Sequence, residues 1–187
     1  MDIRPVKGED LDSIVLSVYA TFGRQTPYSS PEECYYSLLP AFTAGPLAAY
    51  VDGKLAGFTL YQTLEGDEQH YILEQALRSL PKVKRGKKPG LWLLSRARVT
   101  EAYGSSITEA RHGDLLKVAT IVKPEHRRKG IGLALTKELC SPGTQVFTYC
   151  LEGAGSKEMN LAAGFEPILY LERFYDSGEN ATLMGWH

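Results

Sequence analysis

A chain of 187 residues with 43% apolar side chains has the length and hydrophobicity of one α/β domain with a substantial core, which excludes a disordered chain. Its net charge of −1 supplies no global pull toward nucleic acid or an anionic membrane, so neither is expected as a partner.

The chain opens on Met1-Asp2-Ile3-Arg4-Pro5, which has no apolar leader pattern, and no run is long enough to span a bilayer. Ile3 to Val6 is a short strand candidate. Leu11, Ile14, Val15, Val18 and Phe22 recur at helical spacing, with Gly23 as a C-terminal stop. Ser30-Pro31-Glu32-Glu33 opens a second helix, with serine as cap, proline at the first position and glutamate at the third. Leu47 to Val51 and Lys54 to Tyr61 flank Asp52-Gly53, the pair that a type I′ hairpin turn favours.

The next segment, at about 62–113, holds a helical pattern from about Glu68 to Leu80 and a basic loop from Lys82 to Lys88. An alternating stretch, Leu91 to Val99, follows. Leu115 to Val122 has the β-branched content of a buried strand and ends at Lys123-Pro124. Gly130 to Cys140 reads as a helix with Ile131, Ala134, Leu135 and Leu139 on one face, closed by Pro142-Gly143. Thr144 to Leu151 is a further strand. Ser156 to Ala163 is a short helix that ends in Gly164-Phe165-Glu166-Pro167. Ile168 to Phe174 and Ala181 to Trp186 are the last two strands. Cys34, Cys140 and Cys150 sit in apolar neighbourhoods without CxxC spacing, which predicts reduced thiols in a cytoplasmic protein.

The chemistry concentrates at Arg127-Arg128-Lys129-Gly130-Ile131-Gly132-Leu133-Ala134, between a strand and the first turn of a helix. The first N–H groups of a helix lack internal partners, and the aligned peptide dipoles place about +0.5 charge there. Two glycines let a bulky anion approach the backbone. The stretch is a phosphate cradle. It lacks the Lys-Ser/Thr of a Walker A loop, and its glycine spacing argues against a dinucleotide fold.

Arg-x-x-Gly-x-Gly in this setting resembles the acyl-CoA-binding motif of the GCN5-related N-acetyltransferase (GNAT) superfamily. The order strand, helix, helix, strand, strand before the central strand is similar, and so is a helix ending in Gly164-Phe165. The resemblance implies an α/β GNAT fold: a mixed central sheet with splayed central strands, flanking helices and an insertion between the third and fourth strands. One domain over 1–187 is the economical reading, with the insertion at about 62–113. An insertion of that size can cover a subunit interface, which leaves a homodimer open.

The resemblance also implies an activity, transfer of acetyl from acetyl-CoA (or another acyl-CoA) to an amine acceptor, and calls for no metal. The pantetheine arm would lie along Thr120, Ile121 and Val122. The pyrophosphate would take backbone N–H groups from Arg128, Lys129, Gly130, Ile131, Gly132 and Leu133, on a cradle that runs to Ala134. Arg127 and Lys129 would add charge-assisted contacts. Many members carry a tyrosine four residues before the glycine of Gly-Phe as general acid, and an asparagine seven residues earlier. This chain has Asn160 and Gly153 there. An amide can orient the sulfur but hardly protonate it. Tyr149 and Tyr170, on flanking strands, are the substitute candidates for the acid. His112, beside Asp114 and near Glu109, is the candidate proton relay. Glu152 could hold an acceptor ammonium, Cys150 invites a nucleophile reading, and Tyr28, Tyr35 and Tyr36 could line the acceptor pocket. Two functions stand: an acyl-CoA-dependent N-acyltransferase, or a non-catalytic acyl-CoA-binding or sensor protein of the same fold.

Overall fold

A computed structural model of the chain describes residues 1–22, 30–64, 113–175 and 177–187. The expectations placed on Gly23, Tyr28, the helix and basic loop of the insertion, the stretch from Leu91 to Val99, Glu109 and His112 lie outside the described residues.

Among the described residues seven strands form one sheet in the order β1-β2-β3-β4-β5-β7-β6. They are β1 (Asp2–Pro5), β2 (Leu47–Val51), β3 (Lys54–Thr63), β4 (Leu115–Val122), β5 (Val146–Leu151), β6 (Glu166–Leu171) and β7 (Ala181–Trp186). All neighbours run antiparallel except β4 and β5, so the sheet is mixed. Asp52 and Gly53 have φ of 50° and 75° and close the β2–β3 hairpin as their sequence requires.

Helices α1 (Leu11–Phe22), α2 (Pro31–Ser37) and α3 (Leu39–Thr43) precede the hairpin. The expected cap is present: Ser30 Oγ accepts from the Glu33 N–H at 3.2 Å. The helix that it opens stops at Ser37, and a new one starts with Pro40 in its first turn, because proline has no N–H to continue the ladder. Ile14, Val18, Cys34 and Phe42 from these helices cover Phe58, Leu60 and Ala119 of the sheet. Helix α4 (Ile131–Leu139) lies against the sheet through Ile131 and Leu135, which pack on Ala49 and Ala56. Helix α5 (Ser156–Ala162) contacts both α4 and β5.

Several element ends differ from the sequence expectation by one or two residues, and the sixth strand differs most. The sixth strand begins at Glu166 and ends at Leu171, and the chain turns through Arg173 at φ 48°. Pro167 is accommodated because β6 is an edge strand, bonded to β7 alone. On α4 the buried set is Ile131, Leu135, Thr136 and Leu139, so Thr136 takes the place expected of Ala134.

The feature that makes the site is where β4 and β5 part. Parallel pairing covers only Leu115 with Val146, Leu116 with Phe147 and Lys117 with Thr148. On its other edge β4 stays bonded to β3 as far as Val122. Between Leu60–Ala119 and Tyr61–Lys117 the register slips, which leaves Val118 as an extra residue on β4. A bulge of this kind bends its strand and raises the local twist. The expected splay of the central strands is therefore present, and Lys117 stands at the fork.

Candidate active site at the strand fork

The loop between β4 and α4, expected to cradle a phosphate, is built on left-handed backbone. Lys123-Pro124 ends β4, a single 3-10 turn follows, and Arg128 (φ 60°) and Gly130 (φ 78°) both adopt left-handed backbone. Gly130 caps α4, whose first N–H groups belong to Ile131, Gly132 and Leu133. The Ala134 N–H is different: it donates to the Gly130 carbonyl at 2.9 Å, so it is spent inside the helix and does not extend the cradle. Arg127 Nε donates to the Val122 carbonyl at 3.1 Å, and Lys129 Nζ to the Glu125 carbonyl at 3.0 Å. The first bond pins the loop to the end of β4.

The two glycines serve different ends. A Cβ at Gly130 would meet nothing within 4 Å, so its backbone conformation sets the residue. A Cβ at Gly132 would stand 2.8 Å from Met159 Sδ and 3.5 Å from Val122 Cγ2. A side chain at Gly132 would thus press on Met159, which lines the cavity, and on Val122 at the end of β4.

Below the cradle, the fork holds a cavity of about 410 Å³. Its walls include Val118 to Thr120 of β4, Tyr149 to Leu151 of β5, Met159 and Asn160 of α5, and Val18 and Phe22 of α1. Tyr149 belongs to this wall and stacks on Phe174 with ring centroids 4.6 Å apart. Tyr170 does not: it lies on the edge strand β6, 49% exposed, and is absent from the cavity lining among the described residues. Tyr35 packs on Phe42 at 5.1 Å between centroids, and Tyr36 is exposed.

At the base of the cavity is a group that hydropathy patterning hides. Lys117 reads as one polar letter in an apolar strand, yet it is 3% exposed and lines the cavity. Its Nζ donates to Asn160 Oδ1 and, at 3.3 Å, to Thr136 Oγ1, and it lies 5.2 Å from the centre of the Phe165 ring. Asn160, itself 1% exposed, donates from Nδ2 to Cys150 Sγ at 2.9 Å. The ammonium is thus held by neutral acceptors, and among the described residues no carboxylate pairs with it. Burial pulls its pKa from 10.5 down to about 8, against a smaller upward pull from Cys150 and Cys140. In the sequence Lys117 is one polar letter within an apolar strand, and nothing there marks Thr136 or Asn160 as its partners.

The remaining candidates have other occupations. Burial pushes the Cys150 thiol up, against the lowering bond from Asn160, so it is not an activated nucleophile. Glu152 accepts from Lys157 Nζ at 2.9 Å and from the Thr182 hydroxyl, and these bonds, Thr182 first, hold its carboxyl below the ordinary range. Asp114 is buried and accepts from the Gln145 N–H at 3.0 Å, which ties the start of β4 to the approach to β5. Among the described residues no three His, Cys, Asp or Glu side chains gather as a metal site would require, and no helix is long and apolar enough to cross a membrane.

No family model and no curated protein sequence matches the chain. Solved structures do. A polyamine N-acetyltransferase from Drosophila melanogaster, which forms N-acetylagmatine, superposes with a TM-score of 0.67 at 17% identity over 100% of this chain and 99% of its own. A GNAT-family acetyltransferase from Bacillus cereus gives 0.60 at 17% identity, covering 99% and 95%. NAA60 from Arabidopsis thaliana, solved with acetyl-CoA, gives 0.61 at 16% identity, covering 99% and 98%. The chain has the GNAT fold.

Proposed function

We propose that this protein is an acyl-CoA-dependent N-acyltransferase that moves acetyl from acetyl-CoA directly to a primary amine. The observation that carries the reading is the fork. A strand with one edge released beyond Lys117 runs up to a left-handed, glycine-capped helix start, and a cavity lies between the released edges. An extended amide-bearing arm can bond such an edge as an added strand would. Thr120, Ile121 and Val122 would carry the pantetheine. The N–H groups from Arg128 to Leu133 would hold the pyrophosphate, with the charges of Arg127 and Lys129 beside it.

In this reading the thioester lies at the fork and the acceptor enters between α1 and β5. A protonated alkyl amine has a pKa near ~10.4, so it must shed a proton before it attacks. The GNAT-fold neighbours are acetyltransferases by name, and agmatine, the substrate behind the Drosophila protein's product, heads the acceptors to test. We read the chain as one domain with an insertion at 62–113. Its three free cysteines suit a reducing compartment such as the cytoplasm.

Calorimetric titration with acetyl-CoA and CoA, followed by thiol release over agmatine, polyamines, amino acids, aminoglycosides and short peptides, tests the reading. Acetyl-CoA binding with amine-dependent thiol release is expected. Tight binding without release over the whole panel would leave a non-catalytic acyl-CoA-binding protein instead.

A further inference from the structure

We infer that Lys117 is the general acid of this site, the group that hands a proton to the departing CoA sulfur. The inference rests on the transferase reading above and adds to it the residue that does the chemistry.

Four observations converge on it. The last bonded pair of the central strands is Lys117 with Thr148, whose hydroxyl donates to the Lys117 carbonyl at 3.0 Å, so the lysine backbone is fixed at the apex of the fork. An arm that starts at the α4 N-terminus and runs down β4 along Val122, Ile121 and Thr120 brings its far end to this apex. Second, the Nζ bonds to Asn160, the residue at the place where the resemblance implies a tyrosine acid. The amide cannot give up a proton, but the ammonium attached to it can.

Third, among the described residues no carboxylate pairs with this buried ammonium, and that arrangement is costly. Desolvating an ion penalises it by several kcal/mol unless partners compensate, and groups kept in that condition cluster at functional sites. Fourth, an ammonium has three donors. Among the described residues Asn160 and Thr136 take two, which leaves one for the cavity that Lys117 lines.

The step balances as follows. The neutral acceptor nitrogen bonds to the thioester carbonyl carbon, and the C–S bond breaks with its electron pair on sulfur. Sulfur takes a proton from Lys117 Nζ and leaves as a thiol. The acceptor nitrogen sheds one proton to solvent, and the neutral lysine recovers one from solvent after product release. A thiol of pKa about 8.5 and an ammonium near 8 are closely matched for that exchange.

The test uses the full chain, acetyl-CoA and whichever amine of the panel turns over fastest. Lys117→Met should lower kcat by about 10²–10⁴-fold while acetyl-CoA affinity changes less than about threefold. Lys117→Arg keeps a charge but holds its proton too tightly to give it, so it should not restore turnover. In the wild type at saturating amine, kcat should fall as pH rises through about 8, where the ammonium is lost. Among the described residues the titratable groups that act on the lysine are Cys150 on β5 and Cys140 after α4, and Tyr149 and Tyr175 share its cavity, so the same limb must persist in Cys150→Ala, Cys140→Ala, Tyr149→Phe and Tyr175→Phe.

Full turnover in Lys117→Met, recovery in Lys117→Arg, or a wild-type profile flat to pH 9.5 would each overturn the assignment. So would stable acetylation of Lys117 in place of the amine, seen as added mass on its peptide. The pH profile needs no variant, so it decides the matter even if Lys117→Met misfolds. No thiol release from the wild type with any amine would instead remove the transferase reading, and this inference with it.

Discussion

Gly132 and Met159 meet across the α4–α5 contact so closely that a Cβ on the glycine would come within 2.8 Å of the methionine sulfur. Both helices border the fork, so in the proposed transferase this contact would set the distance between the pyrophosphate loop and the residues at the fork. Gly132→Val should therefore cost stability as well as acetyl-CoA affinity. Overpacking of this sort typically destabilises by about 1–3 kcal/mol. Met159→Ala in the same chain should recover part of the loss, with a coupling of about 0.5–3 kcal/mol in a urea-denaturation cycle. Additive single effects would mean that the two residues do not share this space.

Gly130 should respond otherwise. It sits at φ 78° with open space where a side chain would go, so Gly130→Ala brings strain without a clash. A left-handed alanine costs roughly 1–2 kcal/mol. Denaturant titration should show a loss of that size, with no rescue from Met159→Ala. Calorimetry should show weaker acetyl-CoA binding, because the first N–H groups of α4 turn with the cap. A variant as stable as the parent would mean that the loop relaxes into another conformation at no cost.

The letters that announced most of the fold did so through strong local rules. Asp52-Gly53 fixed a turn, Ser30 a cap, and Gly130 a left-handed cap between strand and helix, each readable because few other residues tolerate those backbones. The fork itself was legible only through resemblance, since pairing that ends at Lys117 and Thr148 depends on the sheet as a whole. Lys117 escaped notice because a strand pattern records its long apolar stem as compatible with burial and says nothing of the partners of its head. Those partners, Thr136, Asn160 and Phe165, come from 19 and 43 residues away and beyond, distances over which no periodicity carries information. Tyr170 illustrates the reverse: Leu169 and Leu171 on either side of it are buried, so the strand's alternation turns Tyr170 to the opposite face and leaves it half exposed.

The same lysine should leave a mark on stability. Its folded pKa, about 8, lies below its ordinary 10.5, so between those values the unfolded chain binds more protons than the folded one. Stability contributed at this site therefore rises as pH climbs from about 8 toward 10.5, and below 8 the cost of the buried charge is felt in full. Lys117→Met has no such rise. The stability difference, wild type minus variant, should grow by roughly 3 kcal/mol over that interval, at about 1.36 kcal/mol per pKa unit. Burial pushes the thiols of Cys140 and Cys150 up, which weakens the fold at alkaline pH, but both proteins carry them and the difference removes most of that effect. A difference that stays flat from pH 7 to 10.5 would show that Lys117 is not buried as an ammonium.

The tyrosines supply the final discrimination. Tyr149 lines the cavity and stacks on Phe174, whereas Tyr170 stands outside it on β6. With Lys117 as proton donor, Tyr149→Phe should hold kcat within about tenfold of the parent, below the loss of about 10² or more that follows removal of a general acid. Its stacked ring is kept, so acetyl-CoA affinity and thermal midpoint should barely move. Tyr170→Phe should match the parent in every measure. A loss of about 10²-fold or more in Tyr149→Phe, with acetyl-CoA binding intact, would assign the proton to the tyrosine hydroxyl. It would leave Lys117 as the charge that holds Asn160 in place.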